Sequence, residues 1–404
     1  VSEGPSIAIV GGGLAGLAAA TALAKVGFAA EVFEAAPHLG EIGAGVNVSP
    51  QAIRVLRAIG LGEAVAAAAN VAPGVLTRDM HSGAALDYRD HANMEARFGA
   101  PLCTVHRADL LEALARGVDR GRIHLGHRLV ALEEAAGGVE LRFANGVSHG
   151  AELLLAADGI HSQVRRALYG DDHPSYTGQM VWRALVSGAS VPAGVLEPSG
   201  HVQWLGLGRH FFAYYLRGRD VVSIVTQQDT EQWIEEGWSI PGDMAEMRAS
   251  FPNPEPRLAA LLDAATACSK WGLFLRPLTE NWGRGRIQLI GDAAQRCCPT
   301  PGRAPLRRSK MPTFSRAGSR CCPPIRSRPW RIFAVSVSRA CTRFSAVRHP
   351  SYGPNTITIH AGRTLRRRKS MPSRRWRGSG SMTRSGAGTE SQQRRLWRRT
   401  ASRR

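Results

Sequence analysis

Residues 6–35 constrain this chain more tightly than any other stretch. The apolar run Ile7, Ala8, Ile9, Val10 reads as a buried parallel strand. Gly11-x-Gly13-x-x-Gly16 follows and opens a helix whose apolar positions include Leu14, Leu17, Ala18 and Leu23. Gly27 ends that helix, and a second short strand closes at Glu34. Gly11 makes the tight turn, Gly13 lets backbone approach a pyrophosphate, and Gly16 packs helix on strand. The pyrophosphate would lie against free N–H groups at the helix N-terminus, where the dipole favours negative charge. Glu34, 18 residues past Gly16, stands where a carboxylate accepts hydrogen bonds from ribose hydroxyls. Glycines cluster at any tight turn. Strand, turn, helix, strand and acid in this order specify a dinucleotide site.

The net charge of +20 over 404 residues describes no part of the molecule. Residues 295–404 hold 28 Lys and Arg against the single acid Glu390, a net +27. The first 294 residues hold 24 bases and 31 acids, a net −7, as in an ordinary mildly acidic protein. Cys103 and Cys268 stand alone in that part, which argues for a reducing compartment without a disulfide framework. No apolar run reaches the ~18–20 residues of a membrane span, and the first strand follows the N-terminus directly. A cytoplasmic location without a membrane span is the expectation.

Along the chain, residues 39–50 form a glycine-rich loop with Gly43 and Gly45, suited to backbone lying close to a flat ligand. Ser49 and Pro50 then predict the cap and first position of a helix over 51–59, closed by Gly60. Arg107 stands ahead of a helix that Asp109 could cap. Short strands are expected over 122–125, 129–133 and 139–143, with Asn145-Gly146 as a hairpin turn. A buried strand over 151–157 runs into Asp158-Gly159, at the sheet edge where doubly wound folds keep ligand contacts. From 176 to about 270 the pattern changes. Strands over 182–186, 201–205, 211–216 and 221–226 have no crossover helices between them and read as an antiparallel sheet. The Trp233/Trp238 region and a helix over 244–262 lie beside it. A last strand, 286–290, ends at Gly291-Asp292-Ala-Ala.

Three separated motifs now stand in order: Gly11-x-Gly13-x-x-Gly16 with Glu34, Ala157-Asp158-Gly159 with Ser162 and Arg165, and Gly291-Asp292-Ala-Ala. Together with Gly43-Ala-Gly45…Ser49-Pro50 and Arg107-x-Asp109-Leu, they resemble the single-component FAD-dependent aromatic hydroxylases, the salicylate hydroxylase-like flavoprotein monooxygenases. The resemblance spans residues 5–294. It implies an α/β fold: a Rossmann-like FAD-binding domain (1–175), an antiparallel-sheet substrate lobe (176–275) and a return to the FAD domain (276–294). It further implies that Gly11, Gly13 and Gly16 hold the FAD pyrophosphate, Glu34 the adenosine ribose, and Arg107 the flavin side. Asp158 and Gly159 would serve FAD and the passing nicotinamide; Asp292 would meet the ribityl chain, with Gly291 beside it as a further cofactor-binding residue. The implied reaction consumes NAD(P)H and O₂ and hydroxylates a small aromatic substrate of the salicylate or hydroxybenzoate kind through a flavin C4a-hydroperoxide. A flavin oxidase or epoxidase on the same scaffold is the rival enzyme reading. Gly206-x-Gly208 and Gly283-x-Gly285 lack a third glycine, so no second dinucleotide motif is present.

A base or cation near the ring would help by favouring a deprotonated, more nucleophilic phenol. Arg183, His210 and Tyr214 in the substrate lobe are the candidates, although Arg and His on strands are commonly solvated and Tyr is commonly core. The segment around them has Ala213 and Tyr215 where the family commonly shows a His-Tyr-Pro-like run.

The third motif departs from the family after residue 294. Gln295 replaces the expected histidine, Pro299 and Gly302 keep register, and Arg303-Ala-Pro305 stands where a helix should begin. GC-rich codons for residues 298–321, read one frame away, permit a segment containing G-Q-G-A-A-Q-A-I-E-D-A, the missing family helix. The expectation is a tail translated out of frame from about residue 295; sequencing the gene and finding one uninterrupted frame would sink it. As written, the tail is too charged for a core and is expected to be disordered. It would bind phosphate backbones only non-specifically, through runs near Arg366 and Arg374. Cys297-Cys298 and Cys321-Cys322 lack zinc-ligand spacing, so no metal is expected. An inactive product with a basic tail is the non-enzyme reading.

Overall fold

The structure, a computed structural model, describes residues 5–40, 44–135, 137–171, 174–230, 240–275 and 281–294. Gly43, the Trp233/Trp238 region and the tail from Gln295 onward lie outside the described residues.

The glycine turn has the form its sequence predicts. β1 (Ile7–Val10) is buried throughout, α1 (Leu14–Lys25) follows, and β2 (Ala30–Phe33) returns beside β1. β1 lies in parallel between β2 and the strand Leu153–Ala156, so both its edges and both its faces are covered. The six-stranded sheet runs Gly283–Arg284, Ile287–Leu289, Leu153–Ala156, β1, β2, Ile123–His124. α1 packs Leu17, Ala20 and Leu23 into one core with Leu110, Leu111 and Leu114 of the helix Arg107–Arg116.

An eight-stranded sheet forms the second layer. Its order is Ile240–Gly242, Cys268–Leu275, Ser175–Ser187, Val221–Asp229, Arg209–Leu216, His201–Gly206, Gly74–Asp79, Ala85–Asp90. One face packs Trp182, Trp204, Phe211 and Ile224 against Met247, Phe251, Leu258 and Leu261 of two short helices. The opposite face carries Arg183, Phe212, Tyr214 and His201. There the three-stranded sheet of Gly45–Val48, Cys103–His106 and Ala69–Val71 meets it. A Cβ on Gly45 would stand 2.5 Å from the Tyr214 hydroxyl, and Thr104 Oγ1 donates to the Tyr215 carbonyl at 3.1 Å.

Several boundaries differ from the sequence reading, each for a local reason. The sheet recruits Gly74–Asp79 and Ala85–Asp90 from ahead of residue 176, and Gly74–Asp79 joins the His201–Gly206 strand in parallel, so the substrate lobe is neither contiguous nor wholly antiparallel. Such pairing is non-local and has no trace in periodicity. Residues 244–262 form two helices, Met244–Ala249 and Pro256–Ala264, because Pro252-Asn-Pro254 breaks the path and Asn253 takes a left-handed φ of 49°. The run 151–157 divides: Ser148–Ala151 completes a hairpin with Gly138–Phe143, and only Leu153–Ala156 joins β1. The loop over 39–50 contains the strand Gly45–Val48. Ser49 caps the helix Pro50–Ala58 as predicted, accepting from the Ala52 N–H.

Gly11 adopts φ +103°, and a Cβ there would collide with the Ala157 carbonyl. Gly11→Ala should therefore lower unfolding stability by roughly 2 kcal/mol or more. A urea midpoint unchanged from wild type would show that the turn does not depend on this approach.

Candidate active site

The glycine turn and its acid are in contact. Glu34 Oε2 accepts from the Gly12 N–H at 2.6 Å and its Oε1 from the Ala36 N–H at 2.8 Å, so the carboxylate stands at the turn itself. The α1 N-terminus carries no side-chain cap and no acid in its first turn. A Cβ on Gly13 would meet nothing within 4 Å. Free N–H groups, a favourable dipole and open space on one side make a cradle that fits a diphosphate with a ribose beside it.

The other two motifs converge on this turn. Asp158 follows Ala157, whose carbonyl abuts Gly11. The Asp158 carboxylate accepts from Ser162 Oγ at 2.6 Å and from the Val164 N–H at 3.2 Å, so it organises the start of the helix Gln163–Tyr169. Burial pushes its carboxyl above the usual range, and these hydrogen bonds pull it back. Beside it a Cβ on Gly159 would meet nothing within 4 Å. Arg165, 2% exposed, donates to the Ala293 and Ala294 carbonyls at 3.2 and 2.8 Å and so ties the second motif to the third. A Cβ on Gly291 would lie 2.7 Å from the Ala15 Cβ at the start of α1. Arg107 donates its N–H to the Ala44 carbonyl at 2.8 Å. Burial lowers the Arg107 guanidinium pKa, and the Asp292 charge raises it. Gly11, Gly13, Gly16, Glu34, Arg107, Asp158, Gly159, Gly291 and Asp292 thus surround one region.

The face of the eight-stranded sheet opposite Trp182 and Phe211 holds the substrate-lobe candidates. Tyr214 pairs with His201 on one side and Ser223 on the other; Phe212 pairs with Val225, and Val225 with Arg183. Cross-strand partners share a face, so Arg183, Phe212, Tyr214 and His201 lie together. The Arg183 guanidinium sits over the Trp271 indole, 4.0 Å from its centroid. Tyr214 is 1% exposed; burial raises its phenol pKa, and a Ser223 hydrogen bond and the Arg183 charge oppose that. His210 shares the face but lies four residues upstream, opposite Leu205 and Gln227.

Sequence reasoning missed how the two layers are joined. Asp109 does not cap its helix; it lies in the first turn and takes a two-bond contact from Arg217, Nε to Oδ2 at 2.9 Å and Nη2 to Oδ1 at 2.6 Å. The helix N-cap position is His106, without a capping hydrogen bond. Asn70 Oδ1 accepts from the Gly218 N–H at 2.9 Å, and its amide nitrogen donates to the Gly218 carbonyl. The turn after the Tyr214 strand is therefore fastened two residues from Arg107. An acid and an arginine 108 residues apart leave no mark in local pattern. Among the described residues there is no group of three or more His, Cys, Asp or Glu able to hold a metal, and no helix long and apolar enough to cross a membrane.

A parallel sheet with a glycine turn, an acid in contact with that turn and two further motifs folded back upon it defines a dinucleotide-binding flavoprotein fold. The family model for the FAD binding domain matches residues 5–303, and the chain belongs to that family. It is 34% identical over 294 residues to the 6-hydroxynicotinate 3-monooxygenase of Bordetella bronchiseptica, covering 72% of this chain and 76% of that one. It is 35% identical over 296 residues to the 3-amino-4-hydroxybenzoate 2-monooxygenase PtnB3 of Streptomyces platensis, covering 73% and 74%. Among solved structures, a salicylate hydroxylase substrate complex superposes with a TM-score of 0.61 at 25% identity, covering 73% and 74%.

Arg217 holds the Asp109 carboxyl below the usual range, chiefly through its hydrogen bonds. A depressed carboxyl contributes stability above its unfolded-state pKa and loses it as pH falls through the folded value. Asp109→Asn should cost under about 1 kcal/mol at neutral pH, because the pair is partly exposed. That deficit should shrink as pH falls below the unfolded carboxyl value and vanish once the depressed folded value is passed. Chemical denaturation at several pH values reads this, and a deficit constant with pH would rule out the ion pair as its source.

Proposed function

We propose that this chain is an FAD-dependent monooxygenase that uses NAD(P)H and O₂ to hydroxylate an aromatic acid bearing a ring hydroxyl. The observation that carries this reading is the contact of Gly45 with Tyr214. It joins the loop beside Arg107, at the edge of the glycine-turn site, to the sheet face bearing Arg183. The two relatives' names and the salicylate hydroxylase add a common theme, since each ring named carries both a carboxylate and a hydroxyl.

Bound FAD supplies the redox chemistry, taking a hydride from NAD(P)H and activating O₂ for transfer of one oxygen atom. The chain's residues bind, orient and charge-stabilise. The N–H groups opening α1, at Gly13 and beyond, hold the diphosphate; Gly11 and Gly16 provide the close packing that aims them. Glu34 accepts from the adenosine ribose. Arg107 and Asp292 would face the flavin side and the ribityl chain, and the open backbone at Gly159 would let the ligand approach, while Gly291 packs closely on Ala15 of α1.

On the sheet face, the Arg183 guanidinium sits over the Trp271 ring, which places a cation where it would pair with a substrate carboxylate. Tyr214 is neutral, as an ordinary phenol is near neutral pH, and burial raises its pKa further. Its O–H would donate to the substrate's ring oxygen and so favour the deprotonated, more nucleophilic ring. Packing against Gly45 fixes the phenol's direction, and Ser223 holds its oxygen from the neighbouring strand. Proton and charge work falls to this Tyr214–Arg183 row rather than to His210.

Purified protein should quench FAD fluorescence on titration and oxidise NADH or NADPH faster with a hydroxybenzoate present. The product should carry one oxygen atom from ¹⁸O₂. Peroxide as the sole oxygen product, with unaltered aromatic acid, would favour an oxidase; failure to bind FAD would sink the reading entirely. Tyr214→Phe should lower kcat by about 10²-fold, as for one lost donor to an oxyanion. Arg183→Met should raise KM for the aromatic acid about tenfold with little change in kcat, as a removed charge-assisted hydrogen bond would.

A further inference from the structure

One buried base on the substrate face has no task in the roles above. His201 is 3% exposed at the start of its strand, directly opposite Tyr214. The two rings are parallel, 1° apart in plane with centroids at 5.8 Å, and Phe212 lies 6.5 Å away on the same face. Nδ1 of His201 lies 3.3 Å from the Ser199 carbonyl. A carbonyl only accepts, so Nδ1 carries the proton and Nε2 presents a lone pair. That Nε2 is buried and has no hydrogen-bond partner among the described residues.

An unpaired buried acceptor is costly, and folds retain few of them without a reason. The neutral form is maintained here: burial lowers the ring's pKa, and nearby His91 adds to that, against the opposing Ser199 contact. Sequence alone gave no hint, because one histidine at a strand start is unremarkable. The register places it beside Tyr214.

We propose that His201 is a specificity-determining residue whose Nε2 accepts a hydrogen bond from a ring O–H or N–H of the aromatic substrate. This deepens the aromatic-acid reading and rests on it. Tyr214 donates and His201 accepts, so the adjacent pair distinguishes a ring substituent that can do both from a bare C–H. A site built around such an acceptor penalises an analogue lacking the donor, because the lone pair is left unpaired again.

The test compares benzoate with salicylate, 3-hydroxybenzoate and 4-hydroxybenzoate on FAD-loaded full-length protein, read by perturbation of the flavin absorbance. Affinity for FAD is measured separately by fluorescence. Wild type should bind its preferred hydroxybenzoate about tenfold or more tighter than benzoate. His201→Phe should abolish that preference while leaving benzoate and FAD affinities within about twofold; His201→Gln, which restores an acceptor, should recover most of it. His201→Leu gives the same comparison should the phenylalanine not be accommodated. A preference that survives in both His201→Phe and His201→Leu overturns the proposal. FAD binding with no response to any of the four acids overturns the aromatic-acid reading itself, and this proposal with it.

Discussion

The packing of a side-chain-free turn against a neighbouring backbone is the constraint on which the rest depends. Gly11 lies on the Ala157 carbonyl, and a Cβ on Gly16 would collide with the Gly11 carbonyl and touch Ala157. The end of β1, the start of α1 and the end of the Leu153–Ala156 strand therefore share one small volume. Any side chain at these positions would separate the three. With them in contact, the α1 N-terminus points into open space at Gly13, and Asp158-Gly159 stands beside it. Helix dipole, free N–H groups and acid are consequences of that approach.

A second tier of contacts converts a nucleotide cradle into a site able to hold a whole flavin cofactor against a substrate. Arg165 reaches 128 residues along the chain to the Ala293 carbonyl and brings the Gly291-Asp292 segment to α1. Asp109 and Asn70 fasten the hairpin that carries Tyr214. Each contact is modest, and the exposed part of the Asp109–Arg217 pair is screened by solvent. Their value is geometric. They fix Arg107, which opens a helix, and Tyr214, which lies on a sheet strand, beside the same Ala44-Gly45 backbone.

The eight-stranded sheet shows how one alternation serves two purposes. Residues such as Trp182, Trp204 and Phe211 pack on helices and stabilise the layer by burial. Their neighbours on the other face, Arg183, His201 and Tyr214, are held by that same packing. The polar residues gain orientation from a core they do not join. Burial raises the phenol pKa and lowers the imidazole pKa, so both are neutral, one with a donor and one with an acceptor.

Sequence by itself determined the elements whose physics is local. The β1–α1–β2 unit, Glu34 at its end, the Ser49 cap and the strand character of residues 182–226 all follow from glycine placement, capping chemistry and side-chain period. Resemblance across three motifs extended this to FAD and to aromatic hydroxylation, which family membership supports. Tertiary structure decided what depends on pairing between distant segments: the entry of Gly74–Asp90 into the second sheet, the division of the 151–157 run, the Asp109–Arg217 join and the place of His201 opposite Tyr214. A period of two states which residues share a face, but not which strand lies next to which. That choice is made by the total burial of the two layers, and no short window of sequence contains it.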